Sequence, residues 1–298
     1  MNEQFVLVEG HSVRVLTSSS PESALWLLLW PGLGGTAEQF LRLLREGPEH
    51  GWNVASIDAP GHGQSDMWDT WSNDAMVSVW DGVLQFLESP IDVVVGGHSA
   101  GAYSAVMWAA RRAACRGLIL LEGGYLNPFP EGTDIEAVFQ QNASYLDSRR
   151  FPSWGDFLAA EREVAVQWDE DAEAMLRAQM VEVDGELRPR ILAVTATKAM
   201  SNLAEYRVQD LPVISCSALV GVATLPPDMA APRAEAIAAF RERVPNLDVV
   251  HVPQAGHDLL IDNPAAISEA VWAFLSVSTR EERTLMSADN SRHKVRDT

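Results

Sequence analysis

Cysteine is scarce in this chain: Cys115 and Cys216 are the only two among 298 residues. Two thiols cannot build a disulfide framework, and their separation fits no metal-ligand spacing. Both therefore read as free, buried thiols in a reducing compartment. Positive charge is also short. The 22 Lys and Arg against 41 Asp and Glu leave a formal charge of −19, which repels phosphate backbones and argues against a nucleic-acid partner. The acids are spread along the chain with no long single-sign block, a pattern that serves solubility. No apolar run approaches the ~20 residues of a membrane-spanning helix. The N-terminus MNEQFVLVEG lacks the basic-then-apolar pattern of a signal peptide, so a cytoplasmic location is the expectation. No G-x-G-x-x-G opens a helix after a strand, and no H-E-x-x-H or clustered carboxylate spacing suggests a metal, so neither a cofactor nor a metal is expected.

What is present is an alternation of strands and helices. FVLVEG and HSVRVLTS read as two strands around a turn, and ALWLLLW as a short strand buried on both faces. TAEQFLRLLREGPEH takes helical spacing, with Thr36 and Gln39 placed as a capping box. NVASID (strand), SNDAMVSVWDGVLQFLES (amphipathic helix), DVVVGG (strand), AGAYSAVMWAARRAA (helix) and GLILLEGG (strand) continue the series. Such alternation predicts an α/β fold with a mostly parallel, doubly wound sheet. From about Asn127 to Asp210 the pattern is helical and polar with no good buried strand, which predicts a helical cap over residues 126–210. PVISCSAL (strand), PRAEAIAAFRERV (helix), DVVHVP (strand) and PAAISEAVWAFLSV (helix) then complete a core made of residues 1–125 and 211–277. The mixed-charge segment 278–298 reads as a disordered tail.

Gly97-His98-Ser99-Ala100-Gly101 lies directly between a strand and a small-residue helix. That is the context of a nucleophile elbow, in which a strained turn lifts a serine hydroxyl to a helix N-terminus that favours developing negative charge. A serine needs a base. His257, in QAGHDLLIDNP, follows the strand DVVHVP at the same sheet edge and is the candidate. His251 sits inside that strand, His62 on an early loop, and His98 beside the serine with its side chain expected to point away. The backbone N–H of Ala100 is one candidate oxyanion donor.

WPGLGGTAEQF, SIDAPGHGQSD, GGHSAGA and AGHDLLIDNP, in that order, resemble the α/β-hydrolase superfamily over about residues 5–276. The resemblance implies Leu33 as the second oxyanion donor, in a loop with Pro-Gly where the family usually has His-Gly. It also implies a carboxylate to orient the base, commonly an aspartate after the strand that follows the cap. Around Gly221 no acid stands there. Two candidates remain. Glu122 ends the strand after the nucleophile helix, where some branches carry the acid and where burial is costly without a partner; the alternative acid is Asp228. Asp58 and Asp66 read as holding loop structure. Dehalogenase and epoxide-hydrolase branches use an aspartate nucleophile, so Ser99 argues against both.

Serine, histidine, carboxylate and two N–H donors imply attack on a carbonyl and an acyl-enzyme. The expected substrate is a small apolar or aromatic carboxylic ester or lactone, with Trp154, Trp168 and Phe139 of the cap as substrate-binding candidates. Fungal lactone hydrolases share the post-elbow glutamate. Thioester and C–C bond hydrolysis use the same parts, and a non-catalytic ligand-binding member of the fold is the reading from a different class.

Overall fold

The computed structural model describes residues 1–88 and 93–277. The tail expected over 278–298 lies outside the described residues. An eight-stranded sheet runs in the order β1–β2–β4–β3–β5–β6–β9–β10. Its strands are β1 Asn2–Val8, β2 His11–Ser18, β3 Trp26–Trp30, β4 Asn53–Ile57, β5 Val93–His98, β6 Cys115–Leu121, β9 Ser217–Ala223 and β10 Leu247–Val252. The contacts of β2 with β1 and β4 are antiparallel, and all others are parallel. The α/β class and its mostly parallel sheet are therefore as the alternation predicts.

Helices cover both faces. On one side α2 Asn73–Phe86, α3 Ala100–Ala109 and α8 Ala230–Arg241 supply Val79, Trp80, Val106 and Phe240 to a core that also takes Val93 and Val95 from β5. On the other, α1 Leu41–Glu46 and the helix over 264–277 supply Leu44 and Val271, which meet Val94. Successive side chains of a strand point to opposite faces, so a strand buried on both has to be apolar throughout. The VVV run does this.

Between β6 and β9 lie α4 Ile135–Ser148, α5 Trp154–Val164, α6 Glu170–Ala178 and α7 Ala193–Ala204. Asp134, Ser153 and Asp169 cap the first three, each side-chain oxygen accepting from a backbone N–H in the first turn. Three local expectations differ from the structure. The segment also holds a hairpin, β7 Met180–Val183 with β8 Glu186–Pro189, turned by Asp184 and Gly185 at positive φ. An Asp-Gly pair favours that turn. The strand expected from PVISCSAL begins only at Ser217, because Ile214 gives its N–H to the Arg243 carbonyl outside the sheet. Thr36 makes no side-chain cap, since Gln39 is drawn inward instead.

Candidate active site

β5 ends at His98 and α3 begins at Ala100, leaving Ser99 between them at φ 48° and ψ −119°. Such a backbone conformation is costly for a non-glycine residue, and it is held here by the surrounding packing. A Cβ on Gly101 would sit 1.9 Å from the Trp30 carbonyl oxygen, and one on Gly97 would sit 2.5 Å from the same atom. These two flanking glycines exist because strand, turn and helix touch there through backbone.

His257 reaches this turn from the far end of the chain. Its Nε2 lies 2.9 Å from Ser99 Oγ. The turn that carries it is braced by Asp262, whose carboxylate accepts the Gly256 N–H at 2.7 Å. α9, Leu259–Asp262, supplies that aspartate.

His98 does not point idly away. Its Nε2 lies 2.7 Å from the His257 carbonyl oxygen and its Nδ1 lies 3.0 Å from Gln39 Nε2. A carbonyl only accepts, so His98 carries its proton on Nε2 and leaves Nδ1 to accept from the amide. Gln39 Oε1 in turn accepts the Gly32 N–H at 2.9 Å. Each contact in this chain pairs a donor with an acceptor. Burial, with His257 as the second cause, pushes the His98 imidazole down to about 4, which keeps it neutral and preserves the tautomer. The Gly32–Leu33 loop and the His257 turn are thereby tied together through one side chain from each of two other elements.

Glu122 occupies the strand end, at φ 45° and buried. Its Oε1 accepts from Arg233 Nε at 2.7 Å and pairs with Nη2 at 2.6 Å. Its Oε2 accepts the Ala223 N–H at 2.7 Å and the Tyr125 hydroxyl at 3.3 Å. The carboxylate has the partner that its burial requires, but the partner is Arg233 of α8. Among the described residues no hydrogen bond joins His257 to Glu122 or to Asp228. Asp228 is exposed in the short turn Pro227–Met229. Asp58 and Asp66 hold loops, accepting from the backbone of Ala37 and Gln64 and of Ser12.

Ser99 and His257 open onto a cavity whose far wall includes Tyr145, Leu146, Arg149, Gln179, Met180 and Ile191. Leu33 borders this cavity and also a narrower apolar one, where Ala100 and the buried His62 stand. As the first residue of α3, Ala100 has an N–H that its own helix cannot pair. The sequence-based candidates Trp154, Trp168 and Phe139 do not border the Ser99 cavity. Trp154 lies under the Arg177 guanidinium, Trp168 under that of Arg162, and Phe139 meets Phe129 edge to face. Trp154 and Trp168 pack against the small apolar cluster of this segment, and Phe139 packs α4 against the loop before it. Arg149, which sequence reasoning passed over, stands at the wall with its guanidinium 4.9 Å from the Phe151 ring and paired to Glu161. The local motifs around Gln39 and His98 give no sign of their distant partners, and Arg149 and Arg233 stand in no motif, although a buried Glu122 requires some partner.

Residues 27–270 match the alpha/beta hydrolase family. The chain belongs to that family. No curated protein matches it in sequence. Among solved structures, this family member is similar to E-2-(acetamidomethylene)succinate hydrolase, with TM-score 0.72 and 19% identity over 92% of this chain and 99% of that one. It is similar to the thioesterase domain of the curacin biosynthetic pathway, with TM-score 0.68 and 21% identity over 90% and 98%. An esterase from Exiguobacterium antarcticum gives TM-score 0.71 and 16% identity over 92% and 100%. At these identities the likeness is one of fold.

Proposed function

We propose that this α/β-hydrolase family member is a serine hydrolase that cleaves a carboxylic ester or lactone of a small apolar or aromatic molecule through an acyl-enzyme. The observation that carries the reading is the 2.9 Å approach of His257 Nε2 to Ser99 Oγ at a strained elbow. His257 takes the hydroxyl proton as Oγ attacks the carbonyl carbon, and returns it to the departing alkoxide. The N–H groups of Leu33 and Ala100 receive the oxyanion. Water then repeats the sequence and frees the acid. Residues 126–210 act as the cap, and the side chains they present to the cavity select the substrate.

Glu122 is the leading sequence-based candidate for the orienting acid. In this reading it serves instead as a buried anchor, neutralised by Arg233, while the His98–Gln39 chain and Asp262 hold the His257 turn. Ester and hydrolase names among the fold neighbours agree with the chemistry. The test is a fluorophosphonate probe with an aryl-ester and lactone panel. Wild type is labelled and turns over at least one ester, whereas Ser99→Ala and His257→Gln lose turnover ~10⁴-fold or more. Equal turnover by Ser99→Ala ends the proposal.

A further inference from the structure

The chain's two thiols are not isolated. Cys115 and Cys216, 101 residues apart in sequence, place their sulfurs 3.1 Å from each other. Both are free thiols and partly exposed, so they are less buried than their composition alone suggests. Cys115 opens β6, and Cys216 directly precedes β9, its parallel neighbour. They lie at the N-terminal edge of the sheet, opposite the Ser99 end.

A β-bulge brings them together. Val93 pairs with Cys115 but Val94 pairs with Gly117, which leaves Arg116 as an extra residue in β6. In β6, Leu118 and Leu120 face the core that contains Val95, whereas Ile119 and Leu121 face the opposite one. Strict alternation would send Cys115 with Ile119. Cys216 belongs with Ala218, Val220 and Val222 on the Val95 side. The inserted residue shifts the alternation by one, and Cys115 packs on that same side. Neighbouring strands about 4.8 Å apart and a one-residue step of about 3.3 Å give a Cα separation of about 6 Å, inside the range that a disulfide spans.

We propose that Cys115 and Cys216 are an oxidative modification site, closing to an intramolecular disulfide with a low-molecular-weight disulfide as oxidant. The Cys216 thiolate attacks one sulfur of the oxidant and releases its first thiolate. The Cys115 sulfur then attacks the mixed disulfide at Cys216, gives up its proton and releases the second. Two protein thiols become one S–S bond, and one small disulfide becomes two small thiols. The contact between the two sulfurs holds the Cys216 thiol below its ordinary range, and the same contact together with burial raises Cys115 above it. This sets Cys216 as the attacking group.

The bond closes a ring that contains Glu122 and the whole segment from α4 to α7, and leaves Ser99 and His257 outside it. Its effect falls on the unfolded chain, where a loop of this length gains most from closure.

The full-length protein is incubated with oxidised glutathione and read by intact mass and maleimide labelling. The expected product has lost two hydrogens, carries no glutathione and labels at neither cysteine, while Cys115→Ser accumulates a stable glutathione adduct at Cys216. Oxidation raises the thermal midpoint by about 5–15 °C, and a protease nick within residues 126–210 yields fragments that separate only after reduction. Two thiols that stay reactive, or wild type that retains glutathione, would overturn the proposal.

Discussion

The Gln39 side-chain amide donates to His98 Nδ1 at 3.0 Å, joining residues 59 positions apart. Because Gln39 also holds the Gly32 N–H and His98 also holds the His257 carbonyl, this contact couples the proposed oxyanion loop to the proposed base. Gln39→Met leaves the Gly32 N–H and His98 Nδ1 without partners, at about 1–3 kcal/mol for each buried group. We expect kcat on an aryl ester to fall ~10–100-fold with KM little changed, since small displacements of aligned groups act on the chemical step. An unchanged kcat in a folded Gln39→Met variant would remove Gln39 from any positioning role.

Arg233 and Glu122 form a buried pair, with side-chain exposures of 6% and 5%. Arg233→Met strands a carboxylate and should destabilise by about 3–5 kcal/mol, whereas adding Glu122→Gln recovers a large part of that loss. Denaturant melts of the two single variants and the double variant measure it. Strictly additive losses would mean that the two charges do not depend on each other.

Acid stability follows from two buried imidazoles. Burial pushes His62 and His98 from 6.5 down to about 4, so between these values the unfolded chain binds protons that the folded chain refuses. Their contribution is complete above pH 6.5 and is lost as pH falls toward 4, by as much as about 3 kcal/mol for each. His62→Gln should flatten the profile in that window. The difference between the two profiles isolates His62 from Asp58, whose carboxyl burial pushes up with the opposite slope. Parallel curves for wild type and variant would contradict a neutral His62.

Gly101→Ala should cost about 3 kcal/mol or more, because the added methyl meets the Trp30 backbone rather than a side chain that can turn. A thermal midpoint within about 2 °C of wild type would show that the elbow is looser than its contacts indicate.

The alternation of apolar strands with helices determined the fold class, because a strand covered on both faces must be apolar throughout, and VVV before a small-residue helix has few other uses. The glycines around Ser99 marked the elbow for the same reason: local backbone contact leaves a local trace. That His257 lies near Ser99 follows from its place after β10, at the edge where Ser99 emerges.

What the linear order could not decide was which charge pairs with which. Glu122 needed a partner, and whether His257 or Arg233 supplied it depended on how α8 lies across the strand end, a matter of packing between segments 111 residues apart. Gln39 reads as a helix cap and His98 as a bystander, because their partners are distant in sequence. Trp154, Trp168 and Phe139 have the chemistry of a pocket lining, but only the packing of the helices against one another fixed which rings face inward. Local sterics are written in neighbouring residues. Long-range hydrogen bonds and ion pairs exist only once the chain has closed on itself.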